Sequence, residues 1–231
     1  MKAVISMSES EYWRYYEVIK NELYITITSF YTYVEIQNFA AENITNYKKI
    51  NKSAEFWNIQ LYGLQAAFFV ALGRLFDSRV DSHSIYNLLA MTESHPEYFS
   101  KVSLAARKAS VGIKSESLDG FLGTAWEPNA GDVVYLRAAL APCIQEFRSV
   151  YGPIRHKVFA HKGLQPKTQT DALFSKAEIK KIDEVLYSLH DLMEALWQLY
   201  HNGMKPDLGA RAYDYRARIA ATTRSVLSGL P

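Results

Sequence analysis

Three apolar rhythms, each stepping by three and four residues, commit most of this chain to α-helix before any other feature is considered. The first comprises Tyr12, Tyr16, Ile19, Leu23, Phe30 and Val34. Trp57, Leu61, Leu64, Phe68, Leu72 and Leu75 form the second, and Ile179, Ile182, Leu186, Leu189, Met193, Leu196 and Tyr200 the third. Such spacing lines one face of a helix and cannot line one face of a strand. Ser8 or Ser10 is placed to cap the first helix, with acidic residues in its first turn, and the rhythm carries it past Phe39. Its middle, Ile25-Thr26-Ile27-Thr28, would suit a strand on propensity alone, but no turn residue bounds it and the helical period crosses it. The second helix is expected from about Ser53 to Asp77; its middle is apolar on most sides and should sit centrally. Ser175 followed by Glu178 reads as a capping box that opens the third, which Asn202-Gly203 closes.

Weaker signals fill the intervals. Ser82 or Ser84 should start a short helix through Leu88-Leu89, and Pro96 can occupy the first turn of another that carries Phe99, Val102 and Leu104. The stretch from Val111 to Gly131 holds four glycines and one proline among polar residues. It reads as a loop within one domain, because helical periodicity resumes beyond it without a change in composition. From Val133 the positions Leu136, Leu140, Ile144, Phe147, Tyr151, Ile154 and Val158 keep a helical phase across Pro142 and Gly152-Pro153. A kinked helix, or two stacked segments, accounts for that. After Pro206 a basic helix or tail carries Arg211, Arg216, Arg218 and Arg224. The expected fold is therefore all-α: one domain over 1–231, an antiparallel bundle of about four to six helices with its core at about 8–204, a long loop, and a C-terminal helix or tail over 205–231.

Composition narrows the setting. A chain of 231 residues, 48% hydrophobic, can bury a full core and is not disordered throughout. Its 26 basic and 24 acidic residues mean that any nucleic-acid contact must come from local clustering. The single cysteine, Cys143, excludes an internal disulfide framework and a multi-cysteine zinc site, and fits a reducing compartment. Ser8, Glu9 and Glu11 interrupt the N-terminal apolar run too early for a signal peptide, and the run from Ala66 to Leu72 is far short of a membrane span. A cytoplasmic protein with no membrane contact is the expectation.

Titratable chemistry concentrates in Ile154 to Gly163, IRHKVFAHKG, which sets one arginine, two histidines and two lysines around Val158-Phe159-Ala160. Arginine keeps its charge at any physiological pH, while histidine can give or take a proton near neutrality, a combination suited to phosphate chemistry. On an ideal helix Arg155 and His161 lie roughly 120° apart at ~100° per residue, so they share no tight face. They converge if His161 sits past the last turn, or if a second copy of the chain completes the site. Ile154, Val158 and Phe159 would point inward and hold the turn.

The string Arg155-His156-Lys157-Val158-Phe159-Ala160-His161 resembles the signature of HEPN domains: an arginine, a polar residue and, after a short gap, a histidine, at the end of a helix in an all-α bundle. It is similar to the HEPN-like branch related to phage abortive-infection proteins. Gly73-Arg74-Leu75-Phe76-Asp77 and Ser84-Ile85-Tyr86-Asn87-Leu88-Leu89 resemble the same branch, so the likeness spans roughly Ser8 to Tyr200. The resemblance implies a metal-independent endoribonuclease that needs no cofactor. It also implies a homodimer in which two motifs meet, with a role in phage defence, toxin-antitoxin or stress response. Arg155 would then hold the scissile phosphate, and His161 would move protons as the ribose 2′-hydroxyl attacks it. His156 would orient the site or the RNA; Lys157 and Lys162 would position phosphates. An antitoxin or nucleotidyltransferase is a possible partner. The rival expectation is a non-catalytic helical module that binds RNA, a nucleotide or a protein.

Other residues read more plainly. Cations also gather at helix C-termini because they favour the negative pole, which alone could explain Arg155, His161 and Lys162. Arg74 and Asp77 most simply form an intrahelical ion pair, with a role at the cleft as the alternative. His190 and Glu194 have metal-ligand spacing but no further ligand nearby, and read as a solvated face, so no metal site is expected. The 16 tyrosines, at helical spacing, read as core or interface rather than base-stacking platforms. Gly120 and Gly123 belong to no phosphate loop, and Ser188 to no hydrolase triad.

Overall fold

Ser8 starts the first helix by accepting a hydrogen bond from the Glu11 backbone, and the Glu11 carboxylate accepts in return from the Ser8 N–H at 2.7 Å. From this capping box α1 (Glu9–Glu42) runs unbroken through Ile25-Thr26-Ile27-Thr28. Thr26 is buried with Ile27, and its hydroxyl donates to the Glu22 carbonyl at 2.8 Å, so burial of one face overrides the strand preference of the β-branched run. The structure, a computed structural model, describes residues 7–113, 115–160, 167–209 and 213–230.

Asn43 then caps α2 (Ile44–Asn51), which leads into α3 (Ala54–Leu75). Ser84 caps α4 (Ile85–Ser94), as its position suggested. Pro96 opens a 3₁₀ turn, Pro96–Phe99, that feeds α5 (Lys101–Ser110). The stretch expected as a loop carries α6 (Ser115–Thr124): Leu118 and Ala125 are buried, while Gly120 and Gly123 face open space and pack against nothing. An Asn129–Asp132 capping box begins α7 (Ala130–Glu146), which continues through a widened helical stretch into the single turn α8 (Gly152–Ile154). Then come α9 (Lys167–Phe174), α10 (Ile179–Asn202) and α11 (Tyr215–Ser228). No strand occurs among the described residues, and none of their helices is long and apolar enough to cross a membrane. The fold is all-α.

The long helices share one buried core, in which Tyr12, Tyr16, Leu72, Leu88, Leu136, Leu140, Leu186 and Leu192 are almost wholly excluded from solvent. The tyrosines there are structural, as their spacing implied: Tyr12 shares a hydrogen bond with the Thr92 hydroxyl at 2.9 Å, and Tyr16 donates to the Met193 carbonyl at 2.8 Å. Two expectations need correction. Helix α10 has no capping box, because Ser175 is spent closing α9: its N–H donates to the Asp171 carbonyl and its hydroxyl to that of Ala172. Helix α3 is central only in its C-terminal half; Phe56, Ile59 and Tyr62 in its first half are about half exposed or more.

The C-terminal segment lies on the bundle. Leu227 of α11 is buried against Ile36, Phe39 and Ile50 in a second, smaller cluster. Arg224 pairs with Glu35 and Glu42 of α1, and Arg216 pairs with Asp183 of α10 at 2.7 Å, so these cations are used within the fold. Arg211 lies outside the described residues.

This clamp is testable. Leu227→Ala removes most of the apolar seat of α11, at the ~2 kcal/mol lower end for a buried leucine. Hydrogen exchange over 215–228 should then quicken about 30-fold or more while protection in α1 and α10 holds. Uniform loss of protection would mean that the helix is no separate unit.

Candidate functional site

Pro153 brings no N–H to its helix, so the carbonyl four residues back, on Ser149, loses its donor. The backbone responds by widening: Phe147–Tyr151 and Arg155–Ala160 are both π-helical, on either side of α8, and the Gly152 N–H reaches back five residues to the Phe147 carbonyl. Gly152 suits this geometry, since a Cβ there would lie 3.2 Å from that same carbonyl oxygen. The helical phase foreseen across both prolines is kept: Pro142 lies inside α7, and the donor that Pro153 lacks is accommodated by π turns.

Two aromatic pairs fasten this segment to α3. Phe147 stacks on Phe76 at 4.4 Å, and Phe159 stacks on Phe69 at 5.0 Å. Because the earlier residue of one segment meets the later residue of the other, the two run in opposite directions. Tyr151 and Ile154 are fully buried beneath them.

Between the two stacks, Arg155 lies across Gly73. A Cβ built on Gly73 would stand 2.1 Å from both Cδ and Nε of Arg155 and 3.0 Å from its Cζ, so any other residue at 73 would occupy the volume of the arginine. The Arg155 Nε is buried without a hydrogen-bond partner, and the side chain makes no hydrogen bond or ion pair to any described residue. Most other arginines are matched: Arg107 with Glu9, Arg137 with Glu93, Arg216 with Asp183, Arg224 with Glu35. The guanidinium is thus held in a slot with its charge unmatched among the described residues, an arrangement chemically suited to an anion.

Around it, His156 and Lys157 are exposed. His161 and Lys162 lie outside the described residues. Arg74 and Asp77 do not pair with each other, contrary to the simplest reading. Helix α3 ends at Leu75 and the chain leaves the helical path at Phe76, which takes Asp77 off the face of Arg74. Arg74 instead reaches Glu22 on α1 at 3.0 Å, and Asp77 pairs with Arg79 at 3.1 Å while accepting the Arg79 N–H at 3.0 Å. Arg74 remains largely exposed one residue from Gly73. Gly73 itself was visible only as part of a motif; a glycine inside an apolar helix was the available signal for a close approach.

The alternative chemistries find little support. Burial pushes the Cys143 thiol up to about 12, so it carries no thiolate near neutrality. His190 is not on a solvated face: it is half-buried, with the rings of Tyr213 and Tyr215 edge-on to it at 5.3 and 5.1 Å. Among the described residues no group of His, Cys, Asp or Glu could hold a metal ion.

No curated protein and no solved structure matches the chain. A family model described as HEPN_AbiU2 (AbiU2) matches residues 9–217, from the start of α1 into α11, and so takes in both Gly73 and Arg155. With that match over nearly the whole chain, the protein belongs to the AbiU2 family of HEPN-like abortive-infection proteins.

Proposed function

We propose that this protein is a metal-independent endoribonuclease that acts as a homodimer in phage defence, toxin-antitoxin or a related stress response. The observation that carries the reading is Arg155: a permanent cation seated on Gly73 without a carboxylate. Such a group is set to stabilise the charge that a scissile phosphate gains in its transition state. The ribose 2′-oxygen attacks phosphorus, the bond to the 5′-oxygen breaks, and a 2′,3′-cyclic phosphate and a 5′-hydroxyl result. His161 takes or gives the protons that these two events require, a role open to imidazole near neutrality. His156 orients the RNA, and Lys157 and Lys162 hold flanking phosphates without reading sequence. Arg74, exposed beside Gly73, extends the cationic surface, and Asp77 keeps Arg79 at its edge.

Dimerisation has its own support. Phe56, Ile59 and Tyr62 on α3 are exposed together with Ile44 and Tyr47 of the adjoining α2. The Tyr62 ring lies 6.1 Å from that of Phe159 on the motif segment. A contiguous apolar surface of this kind marks an association face, and a second copy seated there would lie beside the arginine slot. An antitoxin or nucleotidyltransferase is a further candidate partner.

Purified protein should cut RNA in the presence of EDTA and leave cyclic phosphate ends. Arg155→Ala should lower the rate about 100-fold or more, and His161→Ala should do likewise. Activity surviving both substitutions sinks the assignment; binding without turnover in the wild type identifies a non-catalytic module instead.

Gly73→Ala tests the slot itself. Alanine is the better helix former by ~1 kcal/mol, so the melting temperature should hold or rise slightly, yet the added methyl should expel Arg155 and cost about as much rate as Arg155→Ala. Full activity in a Gly73→Ala protein would show that the slot does not position the arginine.

Phe56→Asp combined with Ile59→Asp should convert a dimer in sedimentation equilibrium to monomer and abolish cleavage, with the helical circular dichroism unchanged. A protein that stays dimeric refutes this face as the interface.

A further inference from the structure

The slot is not isolated on α3. Gln65, Phe69 and Gly73 recur every four residues, so they follow one stripe of the helix, and Gln65 sits ~12 Å from Gly73 along its axis at ~1.5 Å per residue. Beside that stripe a cleft of about 250 Å³ opens between α1, α3 and the turn that joins α9 to α10. Its wall is aromatic: Phe30 and Phe68 lie 5.1 Å apart, Phe68 and Phe69 4.8 Å, and Phe69 and Phe174 5.9 Å. Phe69 is also the residue on which Phe159 of the motif segment stacks, so cleft and arginine slot share a structural element.

Two residues with polar side chains, Gln65 and Tyr33, line this apolar space, and neither makes a hydrogen bond to a described residue. The contrast with the larger groove beside Trp126, about 1110 Å³, is instructive. There the Trp126 Nε1 donates to Asp132 at 2.9 Å, Lys205 covers the indole ring at 4.8 Å, and the Tyr135 hydroxyl accepts the Leu208 N–H at 3.1 Å. Those polar groups are already engaged within the fold, whereas the half-buried Gln65 and Tyr33 are open to solvent or to a ligand.

We infer that the Gln65 cleft receives an unstacked nucleobase next to the scissile phosphate, and that Gln65 is a specificity-determining residue for the cut. The identity of the ligand as RNA rests on the ribonuclease reading; the cleft's capacity for a base does not. Proteins that read single-stranded RNA splay bases onto aromatic side chains and address their edges with hydrogen bonds. A primary amide offers a donor and an acceptor side by side, which pairs in bidentate fashion with adenine. With phosphate on Arg155 and a neighbouring base at Gln65, one nucleotide unit would bridge the two ends of the stripe.

The test uses short 2′-O-methyl RNA, which binds but lacks the attacking hydroxyl, alongside cleavable RNA of random sequence. Wild-type protein should bind adenine-containing oligomers about tenfold or more tightly over the other bases, and should cut beside adenine. Gln65→Leu should shrink that preference to within about twofold, and Ala177→Trp, which fills the cleft from its rim, should weaken binding to every oligomer. A preference for a different base that Gln65→Leu erases equally supports the cleft. Base-blind binding by the wild type, a preference untouched by Gln65→Leu, or no effect of Ala177→Trp overturns it. Cleavage that Arg155→Ala abolishes but Gln65→Leu leaves unchanged in pattern removes the cleft and keeps the nuclease. Selective binding without any cleavage does the reverse.

Discussion

The close approach of the motif segment to α3 governs the arrangement of the site. Two aromatic stacks, Phe147 on Phe76 and Phe159 on Phe69, hold the segments together, and at the point between them only the absence of a side chain on Gly73 admits Arg155. A guanidinium with its Nε buried and unmatched is unfavourable in itself, because no described residue replaces the water it has lost. It persists because the rings on either side are packed, with Phe69, Phe76 and Phe147 buried, whether or not the arginine is satisfied. Apolar contacts thus fix the position of a cation that is itself unpaired, the arrangement that preorganisation of a charged site would require.

The widened helix serves the same end. An ideal helix through Pro153 would clash or kink away from α3; the π turns on both sides absorb the missing donor and let the segment continue along its neighbour. Phe147 and Phe159, twelve positions apart in sequence, can thus meet Phe76 and Phe69, only seven apart, with Arg155 delivered between them. Pro153, which looks like an interruption in the sequence, is part of how the motif segment meets α3.

Features decided within a turn or two of chain were legible in advance. A cap at Ser8 or Ser10, a helix start at Ser82 or Ser84 and the three long helices follow from local period and capping chemistry; the structure uses Ser8 and Ser84. Misreadings arose where a residue had two local options. Ser175 could either cap α10 or close α9, and it closes α9; Asp77 could pair backward along α3 or forward to Arg79, and the end of the helix sends it forward. In the candidate site, the motif string identified Arg155, but its seat did not show, because the contact with Gly73 joins residues more than eighty positions apart. Gln65 was likewise silent, since a lone glutamine in a helix does not reveal the cleft that Phe30, Tyr33 and Phe174 of other segments form with Phe68 and Phe69 of its own.

Charge makes the same point from another side. With 26 basic and 24 acidic residues the chain shows no excess that would betray a polyanion ligand. The folded arrangement redistributes that near-balance. Arg107, Arg137, Arg216 and Arg224 are consumed by carboxylates of other helices, which ties α5, α7, α10 and α11 into the bundle, and Arg74 is tied to α1 through Glu22. Arg155, by contrast, makes no ion pair to a described residue, and His156 and Lys157 beside it are exposed. A chain with nearly balanced charge can thereby leave one guanidinium unpaired on Gly73 while ion pairs between its helices stabilise the architecture.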